Sequence, residues 1–159
     1  AAYLGFRRGC HTIADAATHP DIEPVLQAFL REVSTVVTSH YPSITPEQQD
    51  VFAHKTLLRI QNPYLNDSLA RVGREPLRKL APHDRLVAPA ILAAKDGGTL
   101  TAICTAIAAA LHYSNPDDPQ AVELQRLIAQ HGARKVIADI TELPREHSIV
   151  TTVAELYKN

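Results

Sequence analysis

The sequence lacks the features that mark several common classes of protein. Its 159 residues include no methionine or tryptophan, only six glycines, and two cysteines, Cys10 and Cys104, without a Cys-x-x-Cys pair. No apolar run reaches the roughly 18 residues of a membrane span. The net charge of −1 supplies no basic excess for nucleic acid. Composition therefore argues against membrane and nucleic-acid partners, and the separated cysteines favour reduced thiols in a cytoplasmic protein.

Catalytic and cofactor motifs are also missing. The eight histidines form no His-x3-His or His-Glu-x-x-His pair. Adjacent Cys10 and His11 supply only half of the four or so ligands of a structural zinc site. No Gly-x-Ser-x-Gly element is present, and Cys104 lies in the most apolar segment, where thiols are usually inert. Without a glycine-rich phosphate loop, the chain is not expected to bind a dinucleotide by itself. We expect no metal.

The first residues, Ala1 to Phe6, have an apolar helix-like pattern with neither an initiator methionine nor a cap before it. This pattern favours a piece of a longer polypeptide, and a processed N-terminus is the alternative. An inter-domain surface is expected near Tyr3, Phe6 and the cationic segment 71–79 described below.

Helical periodicity dominates what is present. One apolar stripe runs from about Pro20 to His40, with Pro24 tolerated in the first turn. Thr45, Pro46 and Gln48 predict a capped helix that ends near Ile60. Further helices are predicted from Asp84 as a cap to Lys95, over 100–111 as the buried centre, over 115–131, through Val136 and Ile140, and through 150–156. No period-two alternation appears. These patterns predict a single all-α domain over 1–159, a bundle of about seven to nine helices.

The most informative segment contains four cations and one anion within nine residues, Arg71 to Lys79. We call its cations, Arg71, Arg74, Arg78 and Lys79, the basic cluster. Gly73 and Pro76 predict two short turns that meet there, since proline disfavours α geometry at the preceding residue. Arginine forks suit phosphate or carboxylate. Two interpretations remain open: an anionic ligand, or internal salt bridges to Asp67, Glu75, Asp84 or helix C-termini.

The residues around the basic cluster resemble the C-terminal domain of the polyol-specific long-chain dehydrogenases, in the branch that acts on mannitol 1-phosphate. The resemblance rests on Ala2-Tyr3-Leu4-Gly5, Asn62–Asp67, Arg71–Leu80, Asp84–Leu86 and Asp117–Leu124. These segments cover essentially the whole chain in the family's order, which makes the resemblance specific.

The resemblance implies an all-helical domain preceded by a Rossmann domain that binds NAD, with the substrate between them. It implies reversible hydride transfer between mannitol 1-phosphate and fructose 6-phosphate without a metal. The family's Lys-x4-Asn-x2-His signature, with lysine as general base, lies just before its Ala-Tyr-Leu-Gly element. We therefore expect no catalytic and no cofactor-binding residue within 1–159, and no activity from this fragment alone.

The resemblance also implies roles for the basic cluster. Arg71 and Lys79 match an arginine and a lysine, eight residues apart, that form part of the family's substrate site. Arg74 and Arg78 are extra cations that suit a phosphorylated substrate. The alternatives are a related mannitol 2-dehydrogenase or hexuronate reductase, and a freestanding helical module whose cluster docks an acidic partner.

Overall fold

The computed structural model describes residues 1–158, in which helices are the regular structure and one isolated bridge joins Thr12 and Ser68. The helices are α1 Ala2–Arg7, α2 Ile13–Thr18, α3 Glu23–His40, α4 Pro46–Ile60, α5 Leu69–Gly73, α6 Pro76–Lys79, α7 Val87–Lys95, α8 Thr101–Leu111, α9 Pro119–His131, α10 Ala133–Thr141 and α11 Ser148–Leu156, with a 3-10 turn at Pro63–Leu65. The all-α prediction is confirmed. The helix count exceeds the expected seven to nine because helices of four to six residues are too short to show apolar periodicity.

Local capping chemistry sets the boundaries that the sequence predicted best. Thr45 Oγ1 accepts the Gln48 N–H at 3.3 Å, and the Gln48 side chain accepts the Thr45 N–H at 2.9 Å. Pro46 occupies the first turn of α4, where no backbone N–H is needed. The capping box, the start of α4 and its end at Ile60 are therefore confirmed.

The expected cap at Asp84 is wrong. Helix α7 begins at Val87, its N-cap is Leu86, and no side chain caps it. The Asp84 carboxylate instead accepts the Arg85 N–H at 2.7 Å and the Arg78 guanidinium at 2.9 Å. Because the N-cap of α7 lies two residues later than predicted, Asp84 is left to bind Arg78 of the basic cluster.

Helix α8 is the buried centre, as predicted. Ile103, Cys104, Ile107 and Leu111 are fully buried, and α8 packs on α3, α11 and α1. It has no cap of its own, so Glu32 of α3 fills the role by accepting the backbone N–H groups of residues 102 and 103 at 3.0 and 2.9 Å. Burial, and then the Glu32 charge, raise the pKa of the Cys104 thiol to about 12, so this cysteine is packing material.

An aromatic group fixes α1 against the segment after α8. The Tyr3 and Tyr113 rings meet edge-on at 5.3 Å, and the Phe6 and Tyr113 rings at 4.8 Å. Tyr3 is only 8% exposed. The Tyr3 side chain therefore belongs to the core, and the expected inter-domain surface near Tyr3, Phe6 and the basic cluster stays a prediction. None of the helices between residues 1 and 158 combines the length and apolar character that a bilayer crossing requires.

Candidate functional site

The backbone of the basic cluster is a sharp turn between two short helices, as Gly73 and Pro76 predicted. Helix α5 ends at Gly73 and α6 begins at Pro76. Between them, Glu75 adopts left-handed geometry, with φ 60° and ψ 55°. A non-glycine residue there is strained by about 1 kcal/mol or more, so the surroundings must stabilise this geometry.

The stabilising contact comes from the N-terminus of α9. The Asp118 carboxylate, 6% exposed, accepts the Glu75 backbone N–H through Oδ2 at 2.7 Å. Its Oδ1 accepts the Gln120 N–H at 3.0 Å and so caps α9. Gln120 Oε1 accepts the Arg78 backbone N–H at 3.0 Å. These bonds attach the strained turn to a longer helix and so set the direction in which the cluster faces.

Gly73 is required by a close approach. A Cβ at this position would lie 3.0 Å from two ring carbons of Tyr113. The Tyr113 hydroxyl donates to the Ala70 carbonyl oxygen at 3.3 Å, which holds the ring against α5. The glycine therefore lets the turn lie directly on the aromatic group.

Lys79 is the buried member of the cluster, with 7% exposure. Its Nζ donates to the carbonyl oxygens of Val72 and Arg74, each at 2.5 Å, and lies 5.9 Å from the centre of the Tyr3 ring. Burial, and then the nearby Arg85 and Arg78 charges, lower the pKa of Lys79. An ammonium has three donors, and two of them hold the C-terminal end of α5. The lysine thus fixes the backbone that carries Arg74.

Arg71 and Arg78 have carboxylate partners within the chain. Arg71 pairs with Asp67, and Arg78 pairs with Glu75 at 2.8 Å and with Asp84 at 2.9 Å. Burial opposes ionisation of Asp84, but hydrogen bonds from Arg85 and the charges of Arg85 and Arg78 keep its pKa below the usual value. For these two arginines, the internal salt-bridge interpretation describes the structure. Their side chains are 61% and 47% exposed, so the pairs are weak enough to exchange partners.

Arg74 is different from the other three cations. Its side chain is exposed, and none of the ion pairs within residues 1–158 includes it. It borders an open depression of about 290 Å³ between the strained turn and the start of α9; the lining residues are Ala70, Arg74, Glu75, Asn115, Asp117, Asp118 and Pro119. Arg74 is therefore the cation most available to an external anion, with Arg71 and Arg78 on neighbouring turns.

The described residues can also be compared with the requirements of a metal site and of a dinucleotide site. Residues 1–158 contain no cluster of three His, Cys, Asp or Glu side chains arranged to hold a metal ion. Helix follows helix throughout that part of the chain, so the strand–turn–helix that holds a dinucleotide is absent there. The residues described do not fit NAD.

Sequence reasoning did not assign a role to Asp118, Gln120 or Tyr113. The local signal for Asp118 was present, since an aspartate before Pro119 is typical of a helix N-cap. Its contact with Glu75 had no signal, because the two residues are 43 positions apart.

The family model described as Mannitol dehydrogenase C-terminal domain matches residues 1–159. The chain belongs to this family. Among similar proteins, the mannitol-1-phosphate 5-dehydrogenase of Caldanaerobacter subterraneus subsp. tengcongensis is 37% identical over 156 residues, which are 98% of this chain. The mannitol-1-phosphate 5-dehydrogenase of Pseudarthrobacter chlorophenolicus is 36% identical over the same length. This mannitol dehydrogenase C-terminal domain spans about 40% of the length of these relatives.

Proposed function

We propose that this chain is the substrate-binding C-terminal part of an NAD-dependent mannitol-1-phosphate 5-dehydrogenase. The reaction is the interconversion of D-mannitol 1-phosphate and D-fructose 6-phosphate. Family membership and the two relatives with this name support the reaction class. The basic cluster supports a phosphorylated substrate.

Arg74 carries the proposal. Its exposed guanidinium has no carboxylate partner within residues 1–158 and stands on a turn that Asp118 and Lys79 hold in place. A phosphate dianion would supply the missing counter-charge through two parallel hydrogen bonds. Arg71 and Arg78 would add to the attraction by leaving their carboxylate partners. Lys79 would contribute mainly by holding the turn.

We assign NAD binding and proton transfer to the part of the protein that precedes this domain. No strand–turn–helix lies within residues 1–158, so we assign to those residues the binding and orientation of substrate. The Lys-x4-Asn-x2-His signature of the resemblance would lie just before Ala2-Tyr3-Leu4-Gly5, at the domain boundary. By itself the 159-residue chain should show no turnover of mannitol 1-phosphate with NAD.

The decisive experiment is Arg74→Ala in the full-length enzyme. Losing a charge-assisted hydrogen-bond pair of about 1.5–3 kcal/mol should raise the KM for fructose 6-phosphate by roughly 10- to 100-fold. The KM for unphosphorylated fructose should change little, because fructose has no phosphate for Arg74 to bind. Arg71→Ala and Arg78→Ala should have smaller effects than Arg74→Ala, since both arginines already have internal partners.

Arg126→Ala is the matched control. Arg126 is an exposed arginine of α9 that pairs with Glu123 at 2.6 Å, so its loss should leave both KM values unchanged. Equal effects of Arg74→Ala on fructose 6-phosphate and fructose would show that the cluster is structural. A substrate panel that includes free mannitol and a hexuronate separates the phosphate branch from its unphosphorylated and carboxylate relatives.

A further inference from the structure

Helix α4 and the 3-10 turn after it carry a group of large apolar side chains in contact with solvent. We call Val51, Phe52, Leu58, Tyr64 and Leu65 the apolar patch; their exposed fractions are 53, 62, 55, 94 and 45%. Val51 and Leu58 are seven residues apart and so lie on one side of α4, and Phe52 is exposed about 100° further round the helix. An exposed apolar group of this kind marks an interaction surface.

Only one side of α4 packs against the rest of the domain. None of its fifteen residues is fully buried. Its inner side contributes Leu57 and Ile60, which are partly buried against the core beside α2 and α3. A helix of this length is marginal by itself, and its stability depends on packing. The outer side is therefore positioned to gain stability from a further contact.

The position of the apolar patch indicates what covers it. Ala1 lies beside α4, since it lines one cavity with Thr56 and Ile60 and another with Arg59 and Leu65. This chain matches a C-terminal domain and covers 40% of each relative, so more than half of each relative lies outside the match. In a longer chain, the preceding part enters at Ala1, which shares a cavity with Arg59 and with Leu65 of the apolar patch.

We propose that the apolar patch is the docking surface for the N-terminal part of the full-length protein. The patch lies on α4 and the 3-10 turn after it. Exposed Lys55 and Arg59 flank the apolar side chains, so the facing surface should be apolar with an acidic rim. The proposal concerns domain assembly and does not depend on which substrate the enzyme uses.

Cysteine labelling of the full-length protein tests the proposal. Phe52→Cys and Val122→Cys are compared, because Val122 is a similarly exposed apolar residue, at 51%, on α9. A maleimide reagent is followed by mass spectrometry of the peptide that carries each new cysteine. The thiol introduced by Phe52→Cys should react roughly tenfold more slowly than the thiol introduced by Val122→Cys, the factor that corresponds to ~1.4 kcal/mol of protection. Leu58→Cys is a second probe of the same surface.

Three outcomes are possible. Slow labelling of the patch that is unchanged on dilution supports docking within one chain. Slow labelling that is lost on dilution identifies a second copy as the occupant and overturns the proposal. Equal rates at both positions also overturn it. Because labelling needs no substrate, an enzyme inactive on mannitol 1-phosphate but protected at the Phe52 position would contradict the proposed function alone.

A charge substitution gives an independent readout. In the full-length protein, Phe52→Glu should make the N-terminal part and this domain unfold in separate transitions. The reason is that burying an ionised carboxylate in an apolar contact costs much free energy. Val122→Glu should leave the unfolding profile unchanged. A single unaltered transition in both variants, measured by calorimetry, would contradict the assigned surface.

Discussion

The Glu75 backbone N–H donates to Asp118 Oδ2 at 2.7 Å and thereby joins the turn of the basic cluster to the N-cap of α9. One carboxylate serves both structures, with Oδ1 on the helix and Oδ2 on the turn. The cap on α9 and the bond to Glu75 can be tested separately, because an asparagine at this position keeps one oxygen acceptor and replaces the other with an NH₂ donor.

Asp118→Asn should keep the cap of α9 and break the bond to Glu75. Asparagine is as good an N-cap as aspartate, whereas its NH₂ cannot accept the Glu75 N–H. We expect a loss of about 1–2 kcal/mol in the free energy of unfolding, measured by urea denaturation. In the full-length enzyme, the KM for fructose 6-phosphate should also rise, since Arg74 loses its fixed position. Asp117→Asn, one residue away and exposed, is the control; equal losses in both variants would contradict the assignment.

Gly73→Ala should destabilise the protein by about 1–3 kcal/mol, because the added Cβ would lie 3.0 Å from the Tyr113 ring. Gly98→Ala is the matched control: its Cβ would meet only the Ala93 carbonyl oxygen, at 3.4 Å, and its φ is not left-handed. Thermal unfolding of the two variants distinguishes them. Similar unfolding temperatures for Gly73→Ala and Gly98→Ala would show that the α5–Tyr113 contact can relax to accept a Cβ.

Tyr3→Phe should leave the free energy of unfolding unchanged or raise it by up to ~1 kcal/mol. The Tyr3 hydroxyl is buried without a hydrogen-bond partner within residues 1–158, so its removal relieves a desolvation cost. Tyr113→Phe should instead lose about 1 kcal/mol, because that hydroxyl bonds to Ala70 and Asn115 at 3.3 Å each. Equal losses from the two substitutions would show that the Tyr3 hydroxyl has a partner in solution.

His112 should make the protein less stable in mild acid. Its ring stacks on Tyr157 at 4.0 Å, and Nε2 donates to the Tyr157 carbonyl oxygen at 3.0 Å. Burial, and then the Arg7 charge, lower the pKa of His112 below its usual value, although the carbonyl opposes this. As pH falls through about 6.5, the unfolded chain takes up a proton that the folded state resists, so unfolding becomes easier.

The measurement is the free energy of unfolding at about pH 7 and about pH 5 for the parent and His112→Gln. The parent should lose more stability on acidification than His112→Gln. His54→Gln, on the exposed side of α4, controls for the loss of one histidine. Parallel losses in the parent and His112→Gln would remove His112 as the cause.

Local signals explain how much of the fold was readable from the sequence. Thr45, Pro46 and Gln48 lie within one helical turn, and their hydrogen bonds depend on no distant residue. Gly73 and Pro76 likewise end one short helix and begin the next, although distant Asp118 and Tyr113 hold the turn between them. Asp84 failed as a cap because α7 begins only at Val87, and its carboxylate instead accepts the Arg85 N–H and the guanidinium of Arg78, six residues away.

The sequence by itself determined an all-helical domain, the bounds of α4, the turn at the basic cluster and the family, since each rests on residue types at short spacing. Only the tertiary structure decided how the four cations differ. Lys79 is buried under the carbonyls of α5, Arg71 and Arg78 have carboxylate partners, and Arg74 alone of the four is without one within residues 1–158. Likewise, only packing decided that Tyr3 is core while Phe52 faces solvent. Periodicity identifies an apolar side of a helix, but long-range contacts decide what covers it.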